Sequence, residues 1–321
     1  MATIPRASQP TTVRGTITRD PVSVVMCTRN RPDLIGTAVK SVLANRYAQF
    51  ELVVVDQSDD DATGEILREL SGSHPNLSYV HTPVAGLSRA YNIGIRATSG
   101  SVLAFTDDDC VAPADWIDLI ARAFASEPEA EMLYGQVLLP ASLKEHPEQV
   151  PTLAIRSAER LSKRDGFRIY GMGANFALRR TLFERIGGFD EILGGGAPLR
   201  SSQDFDFQYR AYRANAVILL RPEIVVDHYG VRLPDQWPAT HRAYGIGDGA
   251  FYFKHVRCGD LLALRMLVRR LVWLTAREAL NRIRKRNSLA TYLKGYFVGI
   301  RGSMGYHVDR RRRLYAAPKA H

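Results

Sequence analysis

Apolar runs alternate with amphipathic stretches through the first 125 residues. Pro21–Cys27, Phe50–Asp56, Leu77–His81 and Val102–Thr106 are short runs rich in Val, Leu and Phe, each closed by polar residues, and they read as strands. Between them, Leu34–Ala44, Ala62–Leu70 and Gly86–Ala97 carry apolar residues at helical spacing. A fourth such stretch follows at about Ala114–Ala125. Strand and helix in this alternation predict right-handed βαβ units and a parallel sheet. The first strand runs into Thr28-Arg29-Asn30, the second ends in Asp56, and the last runs into Asp107-Asp108-Asp109. A parallel arrangement brings these ends to one edge of the sheet, where open α/β folds bind ligands.

The pattern is less regular afterwards. Glu131–Leu139 predicts a strand. Thr152–Arg164 has helical character between prolines. Gly171-Met172-Gly173 leads through Ala174 and Asn175 into another strand. A short helix over Thr181–Ile186, glycine punctuation, a helix over Phe205–Ala214 and two short strands at Ala216–Leu220 and Ile224–Val226 bring the body to Gly230. Three regions result: a disordered leader over 1–20, a catalytic body over 21–230, and a C-terminal segment over 231–321. In that segment, His241–Tyr252 is rich in glycine and aromatics and is expected to close over the acceptor as a mobile loop. Leu261–Ile283 mixes leucines and valines with arginines as a basic amphipathic helix.

Composition narrows the reading. With 45% hydrophobic and 24% charged residues, the 321-residue chain is ordinary for a globular protein. Three scattered cysteines show no metal-ligand spacing, which argues for a reducing compartment. No apolar run reaches the length of a membrane span. The net charge of +10 is uneven: residues 255–321 hold 16 Lys/Arg against 3 Asp/Glu. The basicity belongs to the C-terminal segment, while the body is slightly acidic. No Gly-x-Gly-x-x-Gly follows the first strand and no phosphate-cradling Gly-Lys-Ser/Thr loop occurs, against dinucleotide and P-loop folds.

Three adjacent carboxylates at the end of a buried strand repel one another. A hard divalent cation resolves that conflict. The order of motifs then resembles the inverting family 2 glycosyltransferases of the GT-A fold. The resemblance rests on Val24-Val25-Met26-Cys27-Thr28-Arg29-Asn30-Arg31, Val53-Val54-Val55-Asp56, Gly86-Leu87-Ser88-Arg89-Ala90-Tyr91-Asn92, Phe105-Thr106-Asp107-Asp108-Asp109, Gly187-Gly188-Phe189-Asp190-Glu191 and Gln203-Asp204-Phe205-Asp206. It implies an α/β fold with a mostly parallel sheet flanked by helices, to which this chain adds a C-terminal basic helical extension. It also implies transfer of a sugar from a nucleotide diphospho-sugar, with a UDP-sugar favoured, to a hydroxyl acceptor on a glycan or a lipid.

By the same resemblance, Thr28, Asn30, Arg31, Asp56, Arg89, Asn92, Asp107 and Asp108 contact the donor nucleotide. Asp109 and His228 hold Mn²⁺ or Mg²⁺, and Asp204 is the catalytic base. Gly173, Asn175 and Asp206 lie toward the acceptor. Other readings stand beside these: a helix cap for Asp56, a surface ion pair for Arg89, a satisfied core residue for His228, and packing for Trp116. Gln203 replaces an acid in the family's pair, so Asp204 is expected to titrate lower than in a carboxylate pair.

The basic extension either packs on the body or lies on an anionic membrane surface, which would place the protein on the cytoplasmic face of a membrane. Nucleic acid is a poorer partner for an acidic body without a recognised binding motif. A sugar nucleotidyltransferase or an inactive membrane-bound sugar-binding protein are the competing functions. The first lacks its lysine-containing glycine loop here, and intact acids at Asp56, Asp107, Asp109 and Asp204 argue against the second.

Overall fold

The computed structural model describes residues 20–143, 145, 149–284 and 288–316. The leader expected over 1–20 lies outside them except for Asp20, which is tied down. Its carbonyl accepts from the Tyr47 hydroxyl at 2.7 Å, and its carboxylate pairs with Arg179 at 3.2 Å.

The N-terminal half follows the predicted alternation: β1 (Val22–Thr28), α1 (Pro32–Leu43), β2 (Phe50–Asp56), α2 (Ala62–Ser73), β3 (Leu77–His81), α3 (Leu87–Arg96), β4 (Val102–Thr106), β5 (Cys110–Val111) and α4 (Trp116–Ser126). There follow β6 (Ala130–Leu138), β7 (Glu159–Leu161), β8 (Asn175–Arg179), α5 (Arg180–Ile186), α6 (Gln203–Arg213) and β9 (Val217–His228). One sheet has the order β3-β2-β1-β4-β8-β6-β9-β5, with β7 paired to β9. Strands β3, β2, β1, β4, β6 and β9 run one way, and β8, β5 and β7 run against them. The expected helix-flanked, mostly parallel sheet is what forms.

Both faces of the sheet are covered, so the central strands are apolar throughout rather than alternating. Val24, Met26, Leu52, Val54 and Ala104 face α1, α2 and α4 through Ile35, Val39, Leu67, Trp116 and Phe124. Val25, Val53, Val55, Leu103 and Phe105 face α3, α5 and α6 through Tyr91, Ile95, Leu182 and Phe207. Phe105 and Phe176 stack with ring centroids 4.3 Å apart, which fixes the antiparallel β8 against β4.

Three expectations are corrected. Thr152–Arg164 does not form a helix over its length, and only a 3₁₀ turn begins at Lys163. Leu153 bridges to Val137, and Glu159–Leu161 pairs with β9, so the neighbouring strand overrides local helical spacing. The two short strands after α6 are one long β9, which absorbs Pro222 at a register shift opposite Tyr134 and Gln136. The expected mobile loop at His241–Tyr252 lies inside α7 (Trp237–Arg257). Its glycines serve contact rather than flexibility. A Cβ on Gly245 or Gly249 would strike the backbone of Tyr292 or Tyr296. One on Gly295 or Gly299 would strike Arg242 or Ile246. Two Gly-x-x-x-Gly faces thus let α7 and α9 (Ala290–Met304) approach backbone to backbone. The helix α8 (Leu261–Ile283) lies beside them, and a hairpin of β10 (His307–Asp309) and β11 (Leu314–Ala316) closes the described chain.

Candidate active site

The carboxyl ends of β1 and β4, the end of β9, the start of α6 and the helices α7, α8 and α9 enclose a cavity of about 770 Å³. Thr28, Arg31, Asp107, Asp108, Asp109 and His228 line it from the sheet edge. Gly173, Ala174, Gln203 and Asp204 line it from β8's approach and α6.

The three carboxylates are not alike. Burial and the charges of Asp109 and Asp108 push Asp107 up to about 7. Burial also raises Asp108, against the pull of Arg31. Arg31 Nη1 bridges Asp108 Oδ1 at 2.6 Å and Asp109 Oδ2 at 2.8 Å. Burial would raise Asp109, but His228 and Arg31 hold it below the usual carboxylate range.

His228 comes from the last residue of β9, opposite Cys110 of β5. Its Nδ1 lies 2.7 Å from the Pro151 carbonyl, so that nitrogen carries the hydrogen. Nε2 then faces Asp109 Oδ1 at 3.2 Å. A neutral ring would aim a lone pair at a carboxylate there, so a proton or a cation belongs between them. Burial works against the charged ring, but the Asp109 carboxylate holds the imidazole above its ordinary range.

Gly230 keeps the space over this pair open. A Cβ there would fall 2.4 Å from Asp109 Oδ2 and 2.7 Å from His228 Nε2. A carboxylate, an imidazole anchored through its far nitrogen and a cleared space fit a divalent cation. The ligand-capable atoms of Asp109, Cys110 and His228 lie within 4.8 Å of one another. Burial and the charges of Asp107 and Asp109 raise the Cys110 thiol, and a hard cation prefers the oxygen and nitrogen of the other two.

Asp204 stands in the first turn of α6. Its Oδ2 accepts from the Gly173 amide at 3.0 Å and its Oδ1 from the Phe205 amide at 2.9 Å. Burial raises its pKa to about 6 despite these amides, and the Asp248 carboxylate adds to the rise. The expected comparison was with a carboxylate pair, and in this chain burial sets the value above the ordinary carboxylate range whatever stands at position 203. Burial outweighs the amide at Gln203, and a carboxylate does stand nearby, on α7 rather than next in sequence. Asp248 accepts from Ser202 at 2.7 Å and from the Tyr292 hydroxyl, with Arg270 3.9 Å away.

Residues 23–187 match the model of the family described as Glycosyl transferase family 2. The chain belongs to that family. It is 27% identical over 184 residues to a Haloferax volcanii protein named glucosyl-dolichyl phosphate glucuronosyltransferase, a match covering 54% of this chain and 57% of that protein. It is 33% identical over 100 residues to glycosyltransferase AglE of the same organism, covering 30% and 33%. The chain thus spans little more than half the first relative and a third of the second. Among solved structures, the mannosyltransferase PcManGT from Pyrobaculum calidifontis superposes with a TM-score of 0.60 at 18% identity, over 90% of this chain and 87% of that one. Staphylococcus aureus TarS 1-349 superposes with a TM-score of 0.53 at 19% identity, over 71% and 66%. These likenesses establish the GT-A fold.

In this family 2 glycosyltransferase several sequence-predicted residues do not line the cavity. Asn30, at φ 55°, clasps the β1 loop to the β2 loop through Ser58 and Asp59. Asp56 is fully buried, with its oxygens taken by the Ser58 amide at 2.8 Å and the Tyr79 hydroxyl at 3.2 Å. Arg89 pairs with Glu191 at 3.2 Å, and Asn92 binds the Phe189 backbone at both ends. These two residues tie α3 to the Gly-Gly-Phe-Asp-Glu segment. Asn175 is buried between Trp116, Gln136 and Ile224, which also makes Trp116 a packing residue. Asp206 sits in a buried ion cluster with Arg210 at 2.8 Å, Lys254 at 2.6 Å and His255 at 2.9 Å. Five of these six stood in motifs of the resemblance and Asn175 in the glycine-rich approach to β8, and in the structure the polar atoms of each are engaged by other residues of the chain.

Sequence reasoning placed His241–Tyr252 over the acceptor but named none of the residues of the opposite wall. Arg232, Tyr244, Asp248, Arg270 and Tyr292 line the cavity from the C-terminal segment. Arg232 is held over Trp237 and Tyr244, 5.8 and 5.7 Å from their ring centres. Tyr244 and Asp248 fall in the glycine- and aromatic-rich stretch 241–252, whereas Arg232, Arg270 and Tyr292 had no comparable signal.

Proposed function

We propose that this protein is an inverting, divalent-cation-dependent glycosyltransferase in which Asp204 takes the proton of the acceptor hydroxyl. The observation that carries this is Asp204 itself: a carboxylate inside the cavity, oriented by two backbone amides, across from the carboxylate and histidine cluster. In the displacement, the acceptor oxygen bonds to the anomeric carbon as the bond to the diphosphate breaks. The bonding pair leaves with the nucleoside diphosphate, and the hydroxyl proton passes to Asp204.

Asp109 and His228 are the residues to hold Mn²⁺ or Mg²⁺, which when bound supplies positive charge for the leaving diphosphate. Arg31 offsets part of the negative charge of Asp108 and Asp109, which eases the approach of an anionic donor. Thr28 and Asp107 line the same end of the cavity, toward the nucleotide. Support for a nucleotide-sugar donor comes from the solved neighbours, since PcManGT is in complex with GDP-Man and Mn²⁺ and TarS with UDP-GlcNAc. A UDP-sugar as donor and a glycan or lipid-linked hydroxyl as acceptor complete the proposal.

Calorimetric titration with UDP, GDP and dTDP, each with Mn²⁺ and with EDTA, tests the donor site. One nucleotide is expected to bind only with the metal, and binding of none by the folded protein overturns the reading. For the base, Asp204→Asn is expected to keep donor binding and lower transfer by about 10²–10⁴-fold. Transfer at the wild-type rate would remove Asp204 from that role.

A further inference from the structure

The helix α8 turns an apolar face to solvent. Leu261 and Ile283 at its ends are each 79% exposed, and Val272 between them is 61% exposed. Leu264, Val268, Trp273 and Leu280 are exposed as well. Leu261, Leu264, Val268 and Val272 fall at spacings of three and four, so they form one stripe on a helix about 35 Å long. Ala263, Leu274, Glu278 and Asn281 are the buried residues and mark the opposite side. Phe297, Val298 and Met304 of α9 are exposed too. Scattered exposed leucines need no explanation, but a continuous comb of this length does.

The charges around the stripe have one sign. Arg265, Arg269, Arg277 and Arg282 are exposed along α8. Its one acid, Glu278, is buried and bound to Arg282 at 2.7 Å and to Ser288. A second copy docking the same face would set arginines against arginines, which disfavours self-pairing. No described helix is long and apolar enough to cross a membrane, and arginines interrupt α8 at every turn or two. An apolar stripe flanked by arginines on a non-spanning helix has the chemistry of a helix lying in the headgroup region of an anionic bilayer.

We propose that the exposed face of α8 docks on an anionic lipid surface, with Leu261, Leu264, Val268 and Val272 entering the acyl boundary and Arg265 and Arg269 meeting lipid phosphates. Arg270, on the other side of the same helix, lines the cavity and lies 5.1 Å from the Trp273 ring centre. The docked helix therefore holds the cavity close to the membrane plane. The proposal stands whether or not the catalytic reading does, because no stripe residue lines the cavity.

The full-length protein is mixed with phosphatidylcholine vesicles, with and without phosphatidylglycerol, and sedimented. Binding to the anionic vesicles is expected, at least tenfold stronger than to the neutral ones and weakened by salt. Trp273 emission is expected to shift to the blue on binding, and Trp273→Phe to lose that shift. A Val268→Asp/Val272→Asp variant, with its unfolding midpoint and nucleotide binding checked against wild type, is expected to bind about tenfold more weakly or worse. No sedimentation with anionic vesicles overturns the proposal. So does undiminished binding by the double variant, which would assign the attraction to basic charge alone. A dimer in sedimentation velocity that the double variant dissociates would assign the face to a second copy instead.

Discussion

In the proposed role Asp204 must lose its proton to act, and its surroundings resist that loss. Burial is the main cause, Asp248 on α7 adds repulsion, and Tyr91, Tyr134 and Tyr244 are the other titratable neighbours that respond to its charge. A base that titrates at about 6 makes transfer rise with pH through that value and level off above it. A kcat–pH profile is expected to show this inflection. In Asp248→Asn the repulsion is gone, so the inflection is expected to move to lower pH while donor affinity holds. The position of Asp204 was legible from Gln203-Asp204 opening a helix. Its acidity was not, because the carboxylate that tunes it lies 44 residues along the chain.

At the scale of elements, glycines carry the least readable information. Gly245 and Gly249 fell in the stretch expected to be a mobile loop, and together with Gly295 and Gly299 they instead seat α7 on α9. Alanine in a helix ordinarily gains about 1 kcal/mol over glycine. At Gly299 the new methyl would meet the Ile246 carbonyl, so Gly299→Ala is expected to cost about 1–3 kcal/mol instead, read as a lower urea midpoint. Gly230→Ala is a second test, since its Cβ would part Asp109 from His228. Mn²⁺-dependent nucleotide binding is expected to weaken about tenfold or more, with the fold intact by circular dichroism. The strands β1 to β4, by contrast, were legible almost to the residue, because a strand buried on both faces is a local apolar run.

For the molecule as a whole, a buried charge network joins the two halves of the chain. Lys254 of α7 lies 2.6 Å from Asp190 and 2.6 Å from Asp206. Asp190 also accepts from the Tyr315 amide of β11 at 2.9 Å. Arg313 in the last hairpin reaches Asp260 at 2.7 Å, beside Arg213 of α6. Lys254→Met leaves Asp190 buried without its cation and is expected to destabilise by about 3–5 kcal/mol in urea unfolding. Little loss would mean that water or Arg210 compensates.

The sequence by itself determined the sheet-and-helix alternation, the acids at the strand ends, the acid that opens α6 and the basic amphipathic α8. Each of these is a pattern within a few residues, set by periodicity or by a short run of charge. Tertiary structure alone decided which carboxylates face the cavity and which close a joint, why Asp204 titrates high, and how α7 to α9 complete the site. Those outcomes depend on partners brought together from distant parts of the chain, and burial strengthens or silences a charge only once the partners are in place.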